Sequence, residues 1–339
     1  MKVLVAYDGS RGSEAASDDL VLAGLPDRGT AHVLSVAEIS VPQPITNQEL
    51  SCSCATAAAE IATAFKKHGE RSITEAEILA KHAKDRIRRI LPNWDVWSLS
   101  TYGSPAREIL DVAEKLKPDL IVVGSQGRSA FNKFLLGSIS QKVLTEASCS
   151  VRIARGKIEV DDRPACLVVG FDGSEGAFAA VRAVARRSWG PGTEVHLVIA
   201  IEPTVPTSIG RFVSPISRPG DGVDVYDKKL FEELGNNALE ILHKAGVKST
   251  LLIRPGSPKQ VLAEVAERLG ANCIFVGASS DPGNVDRILP GSTSTAVAAR
   301  AHCSVEVVRE KTSKQFGNQT ADEERLLAAE TADAEFKKI

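Results

Sequence analysis

The sequence predicts an α/β protein of two tandem domains, each a five-stranded, parallel, doubly wound sheet. Three observations carry this. One ordered set of motifs occurs twice along the chain, several strand-like segments are near-continuous apolar runs, and these runs alternate with helix-like stretches. Apolar runs of that kind fit strands covered on both faces. Alternation with helices gives parallel neighbours linked by right-handed crossovers.

The first strand, Val3-Leu4-Val5-Ala6, ends in Asp8-Gly9-Ser10 before an Ala-rich helical stretch. Its second copy is Leu167-Val168-Val169-Gly170, ending in Asp172-Gly173-Ser174. Ala31 to Val36 forms the next strand and returns as Val195 to Ile201. A third strand around Leu99, repeated around Leu252, precedes Gly103-Ser104-Pro105 and Gly256-Ser257-Pro258. The prolines mark helix starts, where the missing N–H costs nothing. Leu120 to Val123 and Cys273 to Val276 are the fourth strands, and Ala147 to Val151 and Ala301 to Val305 lead into the fifth. Five matches in one order define a duplication. The first copy holds about ten more residues, between Gln43 and Pro92, read as a loop followed by helical segments that end with Thr74 to Leu91. The expected boundaries are 1–155 and 165–309, joined by the polar stretch Arg155 to Pro164. A charged tail, 310–339, carries one helical segment near Asp322 to Ala332.

At 339 residues the chain has material for two cores. A formal net charge of -2 gives no electrostatic case for nucleic acid or an anionic membrane. No apolar run approaches the roughly 20 residues of a spanning helix. Met1-Lys2 leads straight into the first strand without a signal peptide, so the expected location is cytoplasmic. Of six cysteines, only Cys52 and Cys54 are close together. No second Cys/His pair stands beside them at zinc-finger spacing, so they read as loop or helix-start residues.

The segment richest in chemistry follows the fourth strand: Val123-Gly124-Ser125-Gln126-Gly127-Arg128, then Gly137-Ser138-Ile139-Ser140. Glycine there lets the chain turn sharply and lets a ligand reach the backbone. Ile139, Val143 and Leu144 recur at helical spacing, so a helix begins near Gly137 and aims its unpaired N–H groups at an anion. Ser138 and Ser140 add hydroxyls, and Arg128 adds charge. The spacing, Gly-x2-Gly-x9-Gly-Ser, is neither a Walker A sequence nor Gly-x-Gly-x-x-Gly.

On these residues the chain resembles the universal stress protein family over nearly its whole length except the tail. The resemblance implies a Rossmann-like fold of the adenine-nucleotide alpha hydrolase type. It also implies that the Gly-x2-Gly-x9-Gly-Ser loop binds ATP or a related adenine nucleotide such as ADP or AMP. Carried over residue by residue, Asp8 lies beside adenine and ribose, and the Val36 backbone meets the adenine edge. Val123, Gly124, Gln126 and Gly127 line ribose and phosphates, and Gly137, Ser138, Ile139 and Ser140 hold the phosphate chain. Mg2+ or Mn2+ as companion ion is left open.

The second copy keeps Asp172, Gly277, Gly291, Ser292 and Ser294, with Ile201 as the expected counterpart of Val36. It has Ser280 in place of the second glycine, one inserted residue, and Asp281, Asp286 and Pro290 within the loop. Two carboxylates near a phosphate repel it, so a structural role is the leading expectation for this copy. No His adjoins the loop and no triad order is present, which favours a regulatory binder over a slow ATPase or a nucleotide-free scaffold. Valine at Gly124 or Gly127 is expected to abolish ATP binding and spare the fold. Family domains pair through their last strands, so Val151 to Ile153 and Val305 to Val307 are expected to make an intramolecular pseudo-dimer, with a homodimer as a further option.

Overall fold

The computed structural model describes residues 1–38, 52–127, 136–155, 164–202, 225–280, 288–289 and 291–310; Arg128, the linker 156–163 and the tail from 311 lie outside these. In chain order the first half comprises β1 (Lys2–Ala6), α1 (Arg11–Asp18), a 3-10 turn (Asp19–Leu22), β2 (Thr30–Ala37), α2 (Cys52–Ile90), β3 (Asp95–Tyr102), α3 (Pro105–Leu116), β4 (Leu120–Gly124), α4 (Ser138–Glu146) and β5 (Ser150–Ala154). The second half comprises β6 (Cys166–Gly170), α5 (Glu175–Ala185), β7 (Glu194–Ile201), α6 (Val225–Lys244), β8 (Lys248–Pro255), α7 (Pro258–Leu269), β9 (Cys273–Gly277), β10 (Ser279–Ser280), β11 (Ile288–Leu289), α8 (Ser292–Arg300) and β12 (Ser304–Val308).

The two five-stranded sheets merge into one ten-stranded sheet, β3-β2-β1-β4-β5-β12-β9-β6-β7-β8. Every neighbour in it is parallel except β5 and β12, which run antiparallel and put Val151, Arg152 and Ile153 opposite Val307, Glu306 and Val305. The pairing expected of the last strands is therefore present. It places each of them between two neighbours, β5 beside β4 and β12 beside β9, so neither offers an open edge. Residues 1–309 form one compact unit.

Strand ends are punctuated as the sequence requires. Ser10 and Ser174 cap α1 and α5, each accepting a hydrogen bond from the N–H three residues on. Pro105 and Pro258 open α3 and α7. The stretch expected to hold separate helical segments is a single 39-residue helix, α2, against 20 residues in α6. Gly69 invites a break at a cost of about 1 kcal/mol. No proline stands between Pro44 and Pro92, however, and C-terminal to Gly69 the helix buries a face through Ala76, Ala80, Ala83 and Ile87. Cys52 is the first residue of that helix.

The β5–β12 joint encloses ionic groups. Arg152, fully buried, donates to both carboxylate oxygens of Asp19 and, at 3.3 Å, to Glu306; Arg187 in turn pairs with Glu306. Ser304 donates to Asp19 at 2.9 Å. Burial opposes the charge on Arg152, but Asp19, Cys273 and Glu306 outweigh it and hold the guanidinium charged.

His32 sits on β2 opposite Trp97, and its Nδ1 has no hydrogen-bond partner among the described residues. Burial, helped by Lys2, pulls its pKa down to about 4. The folded state thus refuses a proton that the unfolded chain accepts near pH 6.5. Stability is expected to fall as pH drops from about 6.5 towards 4, and the loss should be smaller in His32→Phe; urea midpoints across that window measure both. Its counterpart His196 bonds Thr250 at 2.8 Å.

Candidate nucleotide cleft

The strand order places β1 beside β4, although their helices cross to opposite sides of this point. At such a switch point the strand ends leave a crevice. In the first half it is a cleft of about 220 Å³, lined by Asp8, Val36, Val123, Gly124, Gln126, Gly127, Ile139 and Ser140, with further walls from α2 and α3. Eight of the eleven residues expected at the site meet here. Gly137 and Ser138 shape the start of α4 without lining the cleft, and Arg128 lies outside the described residues.

Each group arrives by a local cause. Asp8 follows β1 and accepts the Ser10 N–H at 3.0 Å through Oδ1. Its Oδ2 faces Gly127, where an added Cβ would stand 3.0 Å away. Val36 is set by register. The Leu34 carbonyl accepts the Tyr7 N–H, so Leu34 directs its peptide groups towards β1. Two residues on, Val36 directs its own the same way, past the end of β1 and into the cleft.

The loop after β4 is tied at three points. Ser125 N–H donates to Ala154 O at 2.9 Å, Gly137 N–H to Ser125 O at 2.8 Å, and Ser140 Oγ to Gly124 O at 2.6 Å. This corrects two expectations. The Ser140 hydroxyl proton and the Gly137 N–H are used to close the loop, so neither is available to a ligand. What α4 can offer is its first-turn amides, Ser138, Ile139 and Ser140, which have no acceptor within the helix.

Gly124 lines the cleft as expected, but valine there would not spare the fold. An added Cβ there would lie 2.4 Å from the backbone carbonyl carbon and oxygen of Gly12. Gly12 meets Gln126 O in the same contact, and Gly176 and Gly277 repeat it in the second half. These glycines let α1 and α5 press onto β4 and β9. Gly12 escaped the sequence reading, although its recurrence as Gly176, two residues after each Asp-Gly-Ser, was a usable signal. Ser72, Glu75, Ala76 and Leu79 of α2 also line the cleft; no motif marks them. At the back, burial and then Glu14 raise the Tyr7 phenol, whose OH lies 3.4 Å from His82 Nδ1.

The second half has a cleft of about 100 Å³, lined by Asp172, Gly277 and Ser294 among others. Ser294 repeats the tie of Ser140, bonding Gly277 O at 2.8 Å, and Gly291 caps α8 ahead of Ser292. Ile201 is corrected. Its carbonyl accepts the Gly256 N–H on the β8 side, so its peptide groups point away from the cleft, and Ala200 stands in the place of Val36. Phe171 replaces Tyr7 and packs edge-on against Phe178 at 4.9 Å, which makes this back wall apolar. Asp281, Asp286 and Pro290 lie outside the described residues.

Fold and cleft together define a tandem α/β protein with a crevice at a topological switch point. The family model described as "Universal stress protein family" matches residues 1–155 and again 167–309, and the chain belongs to that family. A universal stress protein of Bacillus subtilis, YxiE, is 31% identical over 154 residues, 45% of this chain and 98% of the relative. MJ0531 of Methanocaldococcus jannaschii is 31% identical over 85 residues, 24% of this chain and only 50% of that protein. Among solved structures, a universal stress protein from Archaeoglobus fulgidus aligns over 91% of this chain and 96% of its own, with TM-score 0.58 and 22% identity, a likeness of fold. No described helix is long and apolar enough to cross a membrane.

Proposed function

We propose that this chain binds an adenine nucleotide in the cleft of its first half and acts as a regulatory, stress-responsive binder. The observation that carries the reading is the convergence on one cleft of the Asp8 carboxylate, the inward-facing Val36 backbone and the opening turn of α4. The group fits. Amides at a helix start suit phosphates, a carboxylate suits ribose hydroxyls, and a strand backbone that both donates and accepts suits the adenine edge. Gly127 supports it further, since a side chain there would fill the space beside Asp8. The smaller second cleft, with its apolar back, serves structure in this reading.

Calorimetric titration with ATP, ADP and AMP, each with and without Mg2+ or Mn2+, should give one site per chain. The backbone amide signals of Ser138, Ile139 and Ser140 should shift with saturation. Folded protein showing neither heat nor shifts at millimolar ATP would remove the reading.

A further inference from the structure

Arg155 and Arg309 follow the last strands of the two halves, and each reaches across the joint. Arg309 donates to Leu144 O at 2.5 Å and to Cys149 O at 3.2 Å. Arg155 donates to Ala298 O, Ala299 O and Ala301 O at 3.0, 3.1 and 2.8 Å. Leu144 O lies in the last turn of α4, Cys149 O in the turn that leads from it into β5, and the three alanine carbonyls close the C-terminal end of α8. Each cradle helix is therefore held at its far end by an arginine from the opposite half. Ser150 and Ser304 fix the two backbones alike, Ser150 Oγ accepting the Arg309 N–H at 3.1 Å and Ser304 Oγ the Arg155 N–H at 3.2 Å.

We propose that Arg309 is a positioning residue for the nucleotide site of the first half, so that the second half completes that site. The inference rests on the nucleotide reading above. α4 has nine residues and is only about 14 Å long. Its N-terminal end is tied through Gly137 and Ser140, and its C-terminal end through Arg309. With one end released, a short rigid helix pivots, and its first-turn amides move relative to Asp8 and Val36. A site held loosely by its support loses affinity although every contacting residue is present. The cation at the C-terminus also complements the helix dipole that favours an anion at the other end.

The test uses the full chain with Arg309→Met, Arg309→Lys and, as matched control, Arg155→Met, which frees α8 instead. Arg309→Met should weaken ATP binding about tenfold, the worth of one charge-assisted hydrogen bond, while Arg155→Met stays within about twofold. Arg309→Lys should recover most of the loss. Without nucleotide, Arg309→Met should speed amide hydrogen exchange at Gln141 to Leu144, whose N–H groups are bonded within α4, and Arg155→Met should not. Equal losses in both methionine variants would mean a joint weakened in general and would overturn the proposal, as would unchanged affinity in Arg309→Met. Should Arg309→Met not fold, Arg309→Lys decides by the same two readouts: it should bind ATP less tightly and exchange faster at those amides than wild type, and equality in both overturns the proposal. If wild type itself binds no ATP, the nucleotide reading fails, and the exchange measurement still judges the anchoring separately.

Discussion

Gly124→Val is expected to unfold the protein at physiological temperature rather than merely empty its cleft. The new Cβ would meet the Gly12 carbonyl carbon and oxygen at 2.4 Å, and both are backbone atoms with no rotamer to yield. Relief requires α1 to lift from β4. That opens a core in which Val5, Ala16 and Val122 are fully buried. The loss should exceed the roughly 1–3 kcal/mol of ordinary overpacking, because the helix is displaced and not a side chain alone. Gly127→Val offers the contrast. Among the described residues its new atom meets only the flexible Asp8 carboxylate at 3.0 Å, so the fold should persist and ATP binding should disappear. Urea unfolding and ATP calorimetry on the two variants separate these outcomes. A Gly124→Val protein as stable as wild type would contradict the helix–strand contact.

Arg152→Met should cost about 3–5 kcal/mol, since it strands Asp19 in the joint without its cation. Asp19 is 1% exposed and would keep, among the described side chains, only the Ser304 hydroxyl, whereas Glu306 retains Arg187. Adding Asp19→Asn to Arg152→Met should restore at least half of the loss, because the penalty comes from a buried uncompensated charge and not from a missing attraction. Urea midpoints for the two singles and the double complete the cycle. A single-variant cost below about 1 kcal/mol would show that water reaches the joint.

Much of this was legible along the chain. The duplicated strand ends Asp8-Gly9-Ser10 and Asp172-Gly173-Ser174 are local signals, and the helices expected after them begin there, capped by Ser10 and Ser174. The β4 loop was read from its glycines at a strand end, and Asp8 and Val36 joined it through the family resemblance; all three meet in the cleft. Ile201 went astray because a strand's two sides differ by a single residue, and the hydrogen bond from Gly256 that settles the side lies 55 positions away. The continuity of α2 across Gly69 was not read from the chain, although a lone glycine costs a helix only about 1 kcal/mol and no proline stands there to break it.

By itself the sequence determined two copies of one strand–helix pattern, the glycine-rich loop after β4, and the helix starts at Ser10, Pro105 and Gly137. These follow from backbone preferences and apolar periodicity within short windows. Only the tertiary structure decided that Gly124 serves packing against Gly12, that the Ser140 hydroxyl closes its own loop, and that Arg152, Asp19, Glu306 and Arg309 knit the halves together. Their partners stand 16 to 165 residues away along the chain, and contacts of that range exist only once the sheet has brought distant segments within hydrogen-bonding distance.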